Sequence, residues 1–284
     1  MSSIKQIQSN IDSHLSMRDL VEVYERMAAN TMRKIRDAIL ASREYYHNLA
    51  KLSAEVGADL SSVEEIKSKK SALVLLSSDD GMYGEIMDKV FGRFLKEIKD
   101  NSTADVYISG KVGQDLMTVV SPRTKYQSLA VVELDDDSLM ATIGETLWKY
   151  REVEIFFGQF ESIARQEPNS RVLSVNQLES AQDSWAGDAV ARLKYLYEPS
   201  VEKISDKFSK GIFVGVLQQT IKEDELAKNA SRLMHLDKAL SEIEKKLGTE
   251  QARFGKANKR RVSKKQQLQL AGYKAMSKIR RSYV

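Results

Sequence analysis

Residues 226–247 read LAKNASRLMHLDKALSEIEKKL, and they place Leu226, Ala230, Leu233, Leu240 and Leu247 in one row, with Asp237 intruding in it. Consecutive members of such a row, three or four residues apart, line one face of a helix, and that spacing is the seam of a coiled coil. A seam of this kind needs a second helix to cover it. Working outward, the other end of the chain supplies one. Ile4, Ile7 and Ile11 open the rhythm, and Leu20, Tyr24, Met27, Thr31, Ile35 and Ala38 continue it. The chain's 3 prolines are Pro122, Pro168 and Pro199, so both ends are free of the residue that breaks helix interiors. The spacing predicts one helix over 3–55 and another from about Val201 to the end. Two seams at opposite ends of one chain bury each other when antiparallel.

Between them the pattern changes. Ser71–Ser77, SALVLLS, is a short apolar run bounded by polar residues, as a buried parallel strand requires. A glycine turn, Asp79 to Gly84, follows, then a helical stretch over Ile86–Ile98. Further strands are expected at Ala104–Ser109, Leu129–Leu134, Val153–Phe160 and Arg171–Val175. A helical turn is expected after Gly110, and a helix over Asp137–Tyr150. Alternating strands and helices predict a small α/β domain with a largely parallel sheet. The fold class is therefore α+β: an antiparallel coiled coil of the two terminal helices with a central α/β domain. The expected division is 1–56, 57–199 and 200–284.

Length sharpens the pairing. At 1.5 Å per residue the two helices span roughly 80 Å and roughly 120 Å. If Glu55 lies beside residue 205 or so, Ile4 lies near residue 256, and the remaining C-terminal stretch has no partner within the chain. That stretch is also where the charge is concentrated. Eleven of the 44 basic residues and none of the 40 acidic ones follow Glu250, so the rest of the chain is net −7 although the whole is +4. Lys256, Lys259, Arg260, Arg261, Lys264 and Lys265 fall within ten residues. Such a run suits a solvated helix face, nucleic acid or an anionic surface. Apolar Leu268, Leu270, Tyr273, Met276, Ile279 and Tyr283 follow it, and they favour docking into a protein surface over lying on phosphate alone.

Several chemistries are disfavoured. There are 0 cysteines, so disulfides, thiol catalysis and cysteine metal sites are excluded. Gly110-Lys111 and Gly255-Lys256 lack the remainder of a phosphate-binding loop, and the acidic Asp79–Gly84 turn lacks the three-glycine spacing of a dinucleotide site. His14, His47 and His235 fall in separate parts of the sequence; an antiparallel helix pair can bring His14 and His235 near each other, but no Asp/Glu/His cluster around them has ligand spacing. No apolar run of membrane-spanning length and no secretory leader is present, so an intracellular chain is expected. Neither a catalytic constellation nor a cofactor or metal site is expected.

Four segments carry a resemblance to a known family. They are KQIQSNIDSHLSMRDLVEVYERMAANTMRK (5–34), SALVLLSSDDGMYGE (71–85), YLYEPS (195–200), and SRLMHLDKA with FGKANKRRVSKKQQLQLAG within 231–272. In this order and spacing they resemble the gamma subunit of F-type ATP synthase, the central rotor shaft. The chain is similar to a divergent member. The family's usual Arg in the glycine turn is Asp80 here, and the last Gly of that turn is Glu85. Its Lys-Ala-Arg is Lys256-Ala257-Asn258, and its Thr-Gln-Glu is Ser263-Lys264-Lys265.

The resemblance implies a non-catalytic rotor whose asymmetric shaft lies in a ring of alpha and beta subunits, the catalytic sites being on beta. It also implies contact with an epsilon-type subunit and a membrane ion-translocating ring. One copy per complex, no nucleic acid and no cofactor are implied as well. The residues it places against the alpha/beta ring are Met17, Leu20, Tyr24, Asp80, Tyr83, Lys256, Asn258, Arg260, Arg261, Lys264, Lys265, Leu268 and Leu270. The implied location is the cytoplasmic face of a bacterial plasma membrane, as a peripheral subunit; a mitochondrial inner membrane is the lesser alternative. A gamma-like shaft in an F-like ATPase serving another machine is the second reading, and a nucleic-acid-binding coiled coil using the basic tail is the third.

Overall fold

The computed structural model describes residues 4–56, 68–130, 137–174 and 201–282. In chain order the elements are α1 (Ile4–Val56), β1 (Ser68–Leu75), α2 (Ile86–Asp100), β2 (Asp105–Ser109), α3 (Lys111–Val120), β3 (Gln127–Leu129), α4 (Asp137–Leu147), β4 (Tyr150–Ser162), β5 (Arg165–Ser174) and α5 (Val201–Ser282). The expected α+β class is the observed one. The YLYEPS segment and the expected domain boundaries near 57 and 199 lie outside the described residues.

The chain divides into two compact units. One comprises Met1–Arg26 with Leu236–Val284, and the other Met27–His235. In the first, Ile7, Ile11 and Leu247 form a buried apolar cluster, with Leu15, Phe254 and Ala257 packed against it. The start of α1 thus meets α5 close to where the length arithmetic places it. In the second, Thr31 and Lys34 of α1 share a cavity wall with Leu217, Ile221 and Lys228 of α5. Earlier residues of one helix meet later residues of the other, so the pair is antiparallel.

The seam itself is corrected in phase. Leu20 and Met27, expected inside it, are 56% and 57% exposed, whereas Ala28 and Ile35 are 1% and 0% exposed. The buried and half-buried row of α1 runs Ile7, Ile11, His14, Arg18, Val21, Glu25, Ala28, Met32, Ile35. Its steps alternate four and three, so it is the regular heptad row. Sequence periodicity alone favoured the neighbouring row because that row carries larger apolar residues. On α5, Leu236 is buried while Asp237 is exposed. The seam therefore passes beside the aspartate rather than through it, which avoids the cost of an unpaired buried charge.

In the second unit a five-stranded sheet has the order β3-β2-β1-β4-β5. The pairs β1–β2, β1–β4 and β2–β3 are parallel, and only β4–β5 is antiparallel. Successive residues of a strand face opposite sides, and both sides of this sheet are covered. Ala72, Val74, Val153, Ile155 and Phe157 pack with α4 (Met140, Ile143, Leu147) and with Ile212, Phe213, Val216 and Leu217 of α5. Leu73, Leu75, Ile108 and Phe156 pack on the other side with Val90, Phe91 and Phe94 of α2 and Met117 of α3. This three-layer burial explains why β1 reads as a continuous apolar run. The turn expected after Gly110 is a full ten-residue helix. Strand β3 is only three residues, Gln127–Leu129, and the rest of the expected 129–134 strand lies beyond the described residues except Ala130, which follows it. Helix α4 stops at Leu147, and Tyr150, expected to be helical, opens β4.

Candidate functional site

Three features of the chain stand apart from ordinary packing: the turn after β1, the polar face that α5 turns to the sheet, and the bare C-terminal part of α5. The turn is built at the carboxyl end of β1. Its first residues organise the start of α3. The Val112 N–H donates to the Ser78 carbonyl at 2.9 Å. The Gly113 N–H donates to Ser77 Oγ at 2.7 Å, and the Lys111 N–H to Asp79 Oδ1 at 2.9 Å. These groups satisfy donors that a helix N-terminus leaves unpaired, and the carboxylate also suits the positive end of the helix dipole. Gly110, at φ +79°, is pressed so close to this turn that a Cβ would lie 2.5 Å from the Ser78 backbone nitrogen. The acidic turn is thus a capping device for α3.

Its second half is held by α5. The Arg232 guanidinium lies over the Tyr83 ring, 3.9 Å from the centroid, and donates from Nη2 to the Gly81 carbonyl at 2.8 Å. Burial is the main cause that raises the Tyr83 phenol above its ordinary value, against the opposing pull of Arg232. Gly84, at φ +64°, abuts the His235 ring. Asp80 remains exposed. Beside the turn lies a cavity of about 700 Å³ whose walls include Ser77, Asp80, Tyr83, Ser109, Lys34 and Glu225.

Below the turn, α5 presents polar side chains to the sheet at one-turn intervals. From β5, Arg171 donates to Thr220 Oγ1 at 2.7 Å and to Glu223 Oε2 at 3.0 Å, and its guanidinium lies 5.1 Å from the Phe157 ring centroid. Asp224 and Lys228 form an ion pair at 2.5 Å with side chains 5% and 6% exposed, and Asp224 Oδ1 also accepts the Gly158 N–H at 2.8 Å. Burial raises the Asp224 carboxyl above its ordinary value, although Lys228 and the Gly158 N–H pull it down. None of these contacts was expected from sequence. The one available signal was the i, i+4 spacing of Asp224 and Lys228, which on most helices marks a surface pair.

The third feature belongs to the unit containing the chain ends. From Lys259 to Lys274 every residue of α5 is exposed, so the helix continues with no face covered. Arg260, Arg261, Lys264 and Lys265 lie there, with Leu268 and Leu270 at 65% and 62% exposure. Lys256 is exposed, and half-buried Asn258 accepts from Arg261 at 3.1 Å. On α1, Met17, Leu20 and Val23 form an exposed apolar stripe, and Tyr24 is half-buried beside it. The thirteen residues singled out above fall on separate elements. Asp80 and Tyr83 sit in the turn, and the others lie along α1 and the end of α5.

Comparison with known proteins gives a consistent result. The family model described as ATP synthase matches residues 3–264. An ATP synthase gamma chain of Flavobacterium johnsoniae is 27% identical over 225 residues, covering 72% of this chain and 74% of that one. That of Maridesulfovibrio salexigens is 25% identical over 264 residues, with 84% and 87% covered. Among solved structures, a chain of the Euglena gracilis mitochondrial ATP synthase OSCP/F1/c-ring assembly superposes with a TM-score of 0.62 at 16% identity, covering 96% of this chain and 94% of that one.

Proposed function

This chain belongs to the ATP synthase gamma-chain family as a divergent member, and on that premise we propose that it is the central rotor shaft of a rotary F-type ATP synthase. In this reading the paired helices and bare tip stand within a ring of alpha and beta subunits. The α/β domain lies outside that ring, next to an epsilon-type subunit and a membrane ring. Rotation links nucleotide chemistry on beta to proton or sodium flow. The chain itself is not catalytic and is present once per complex. Bacterial gamma chains among its relatives support a peripheral position on the cytoplasmic face of the plasma membrane.

The observation that carries this reading is the end of α5. A helix exposed on every face over Lys259–Lys274 gains nothing from tertiary packing, and most helical stability in proteins comes from such packing. Its cations and the exposed Leu268 and Leu270 together fit a sleeve that is apolar and acidic. A shaft also needs no chemistry of its own. It needs a shape that differs around its axis and a helix pair that resists unwinding. The heptad seam of α1 with α5 supplies the second of these.

A gamma-like shaft in an F-like ATPase serving another machine remains the second reading. It is favoured by Ser263-Lys264-Lys265 and Lys256-Ala257-Asn258, where this chain departs from the family pattern. Purification of the tagged chain from its native membranes separates the two. Recovery with alpha, beta and a membrane ion-translocating ring supports the synthase. Recovery with alpha- and beta-type chains but without that ring supports the second reading.

A further inference from the structure

Gly158 stands where β4 has lost its neighbour on one side. In a strand the N–H groups of alternate residues point the same way. The last bond across the β1 side of β4 runs from the Leu76 N–H to the Phe156 carbonyl, 3.0 Å. Two residues on, the Gly158 N–H points to that same side, where the paired register of β1 has ended at Leu75. A buried N–H without an acceptor is costly. The acceptor comes from α5, as Asp224 Oδ1, and the buried Lys228 ammonium neutralises the carboxylate. Gly158 also admits the helix closely. A Cβ there would lie 3.3 Å from that of Ala227 and 3.1 Å from Ile86.

We propose that Asp224 and Lys228 are positioning residues that lock the rotational register of α5 against the sheet. The remaining contacts of α5 with this domain are apolar ones through Ile212, Phe213, Val216 and Leu217, and polar ones to Arg171, Glu145 and Gly81 that are half-buried or exposed, whereas the Asp224 contact with Gly158 is buried. Apolar burial is non-directional and tolerates a small turn of the helix about its axis. The Asp224 contact does not. A shift of one residue turns the helix by about 100°. That shift would leave the Gly158 N–H, a carboxylate and an ammonium all buried and unmatched. Buried polar groups that fix register at some cost in stability are best known in coiled coils, and here the same device acts between helix and strand. The lock follows from the geometry of the chain alone. Its use rests on the rotor reading: torque passes between the α/β domain and α5 only if the two turn together.

The test separates the lock from mere stability. The chain has 0 cysteines, so Lys125→Cys and Lys207→Cys, both at exposed positions, give two unique spin-label sites across the contact. Two backgrounds are compared with the parent. Asp224→Asn with Lys228→Met keeps an acceptor for the Gly158 N–H, whereas Asp224→Leu with Lys228→Met does not. The lock predicts one narrow distance in the parent and the Asn/Met form. In the Leu/Met form it predicts an alternate register whose population rises about tenfold, the effect of losing a hydrogen bond to a polar or charged group. One narrow distance in a folded Leu/Met form overturns it. Should that form fail to fold, amide exchange of Gly158 in the parent decides instead: strong protection supports the lock and free exchange overturns it. In assembled membranes, ions pumped per ATP hydrolysed should fall at least about twofold in the Leu/Met form and stay at the parent level in the Asn/Met form. Failure of the parent itself to enter any alpha/beta ring contradicts the rotor reading, and the distances then judge the lock independently. Assembly with parent-like coupling despite shifted distances contradicts the role in torque transfer.

Discussion

Arg232 covers the face of Tyr83 at 3.9 Å from the ring centroid while donating to the carbonyl of Gly81 two residues away. One side chain of α5 thereby holds both the backbone and the aromatic residue of the turn after β1. The Tyr83 ring is partly withdrawn from water, where a cation–π contact is worth about 1–2 kcal/mol. Tyr83→Leu should lower unfolding stability by roughly that amount. Arg232→Met should cost more, because it also leaves the Gly81 carbonyl without its donor. Urea unfolding of the two variants checks the order.

The two glycines of this region should respond differently to alanine. At Gly84 the obstacle is the ring of His235, a side chain that can be removed. At Gly110 the obstacle is the backbone of Ser77 and Ser78. Gly84→Ala should therefore be partly rescued by His235→Ala, leaving about 1 kcal/mol of left-handed backbone strain. Gly110→Ala has no comparable rescue and should cost more than about 3 kcal/mol. Thermal melts of the singles and the Gly84/His235 double variant read this directly.

Asp224 gives a pH dependence with a definite sign. Burial raises its carboxyl above the ordinary value of 3.8, so the native state holds this proton at pH values where the unfolded chain has released it. Stability from this group is therefore lost as pH rises through the window above 3.8 and regained on acidification. Lys228, Glu223 and Glu225 share its helix, and Lys34, Asp79, Asp80 and Tyr83 share the adjoining cavity. Relative to Asp224→Asn with Lys228→Met, the parent should lose stability as pH rises from 3.8 through the raised value of this carboxyl. A parent that gains relative stability over that interval contradicts the assignment. Removing only one partner, as in Lys228→Met, should cost about 3–5 kcal/mol, because it strands the other buried group.

Exposed and buried apolar residues should separate stability from assembly. Phe94 is 0% exposed, and Phe94→Ala should cost about 3–5 kcal/mol by opening a cavity. Met17→Ala and Leu20→Ala, at exposed positions, should change the stability of the isolated chain by less than about 0.5 kcal/mol. If their stripe faces the ring, the same two changes should weaken reconstitution with alpha and beta. Unaltered reconstitution would argue that the stripe faces solvent in the complex.

Much of the fold was legible because two periods dominate the sequence. The three–four spacing at both ends announced the helix pair, and the apolar runs between them announced a buried parallel sheet. The phase of the α1 seam was not legible. Leu20 and Met27 are more apolar than Arg18 and Glu25, yet the latter pair lies on the covered row. An exposed apolar stripe looks the same in sequence as one that faces the chain's own second helix. The anchoring of the turn was also hidden, since Arg232 and Gly81 are 151 positions apart. Asp224 and Lys228 have the spacing of a surface ion pair, and only the close approach of Gly158 and Ala227 reveals that they are buried. The bare basic tip, by contrast, was readable from helix lengths and from the distribution of charge after Glu250.

In the rotor reading, the exposed end of α5 is the part of the chain that enters an alpha/beta ring. The most direct test of that reading is reconstitution of the chain with the alpha and beta subunits of its own source, comparing the parent with Lys264→Glu/Lys265→Glu and with Lys96→Glu/Lys125→Glu on the α/β domain. All four lysines are exposed, so folding should be preserved in both variants. The expected result is one parent chain per ring, about tenfold weaker incorporation for the tip variant, since several charge contacts act together, and parent-like incorporation for the domain variant. A parent chain that stays monomeric beside assembled alpha and beta, or equal incorporation of both variants, would contradict it.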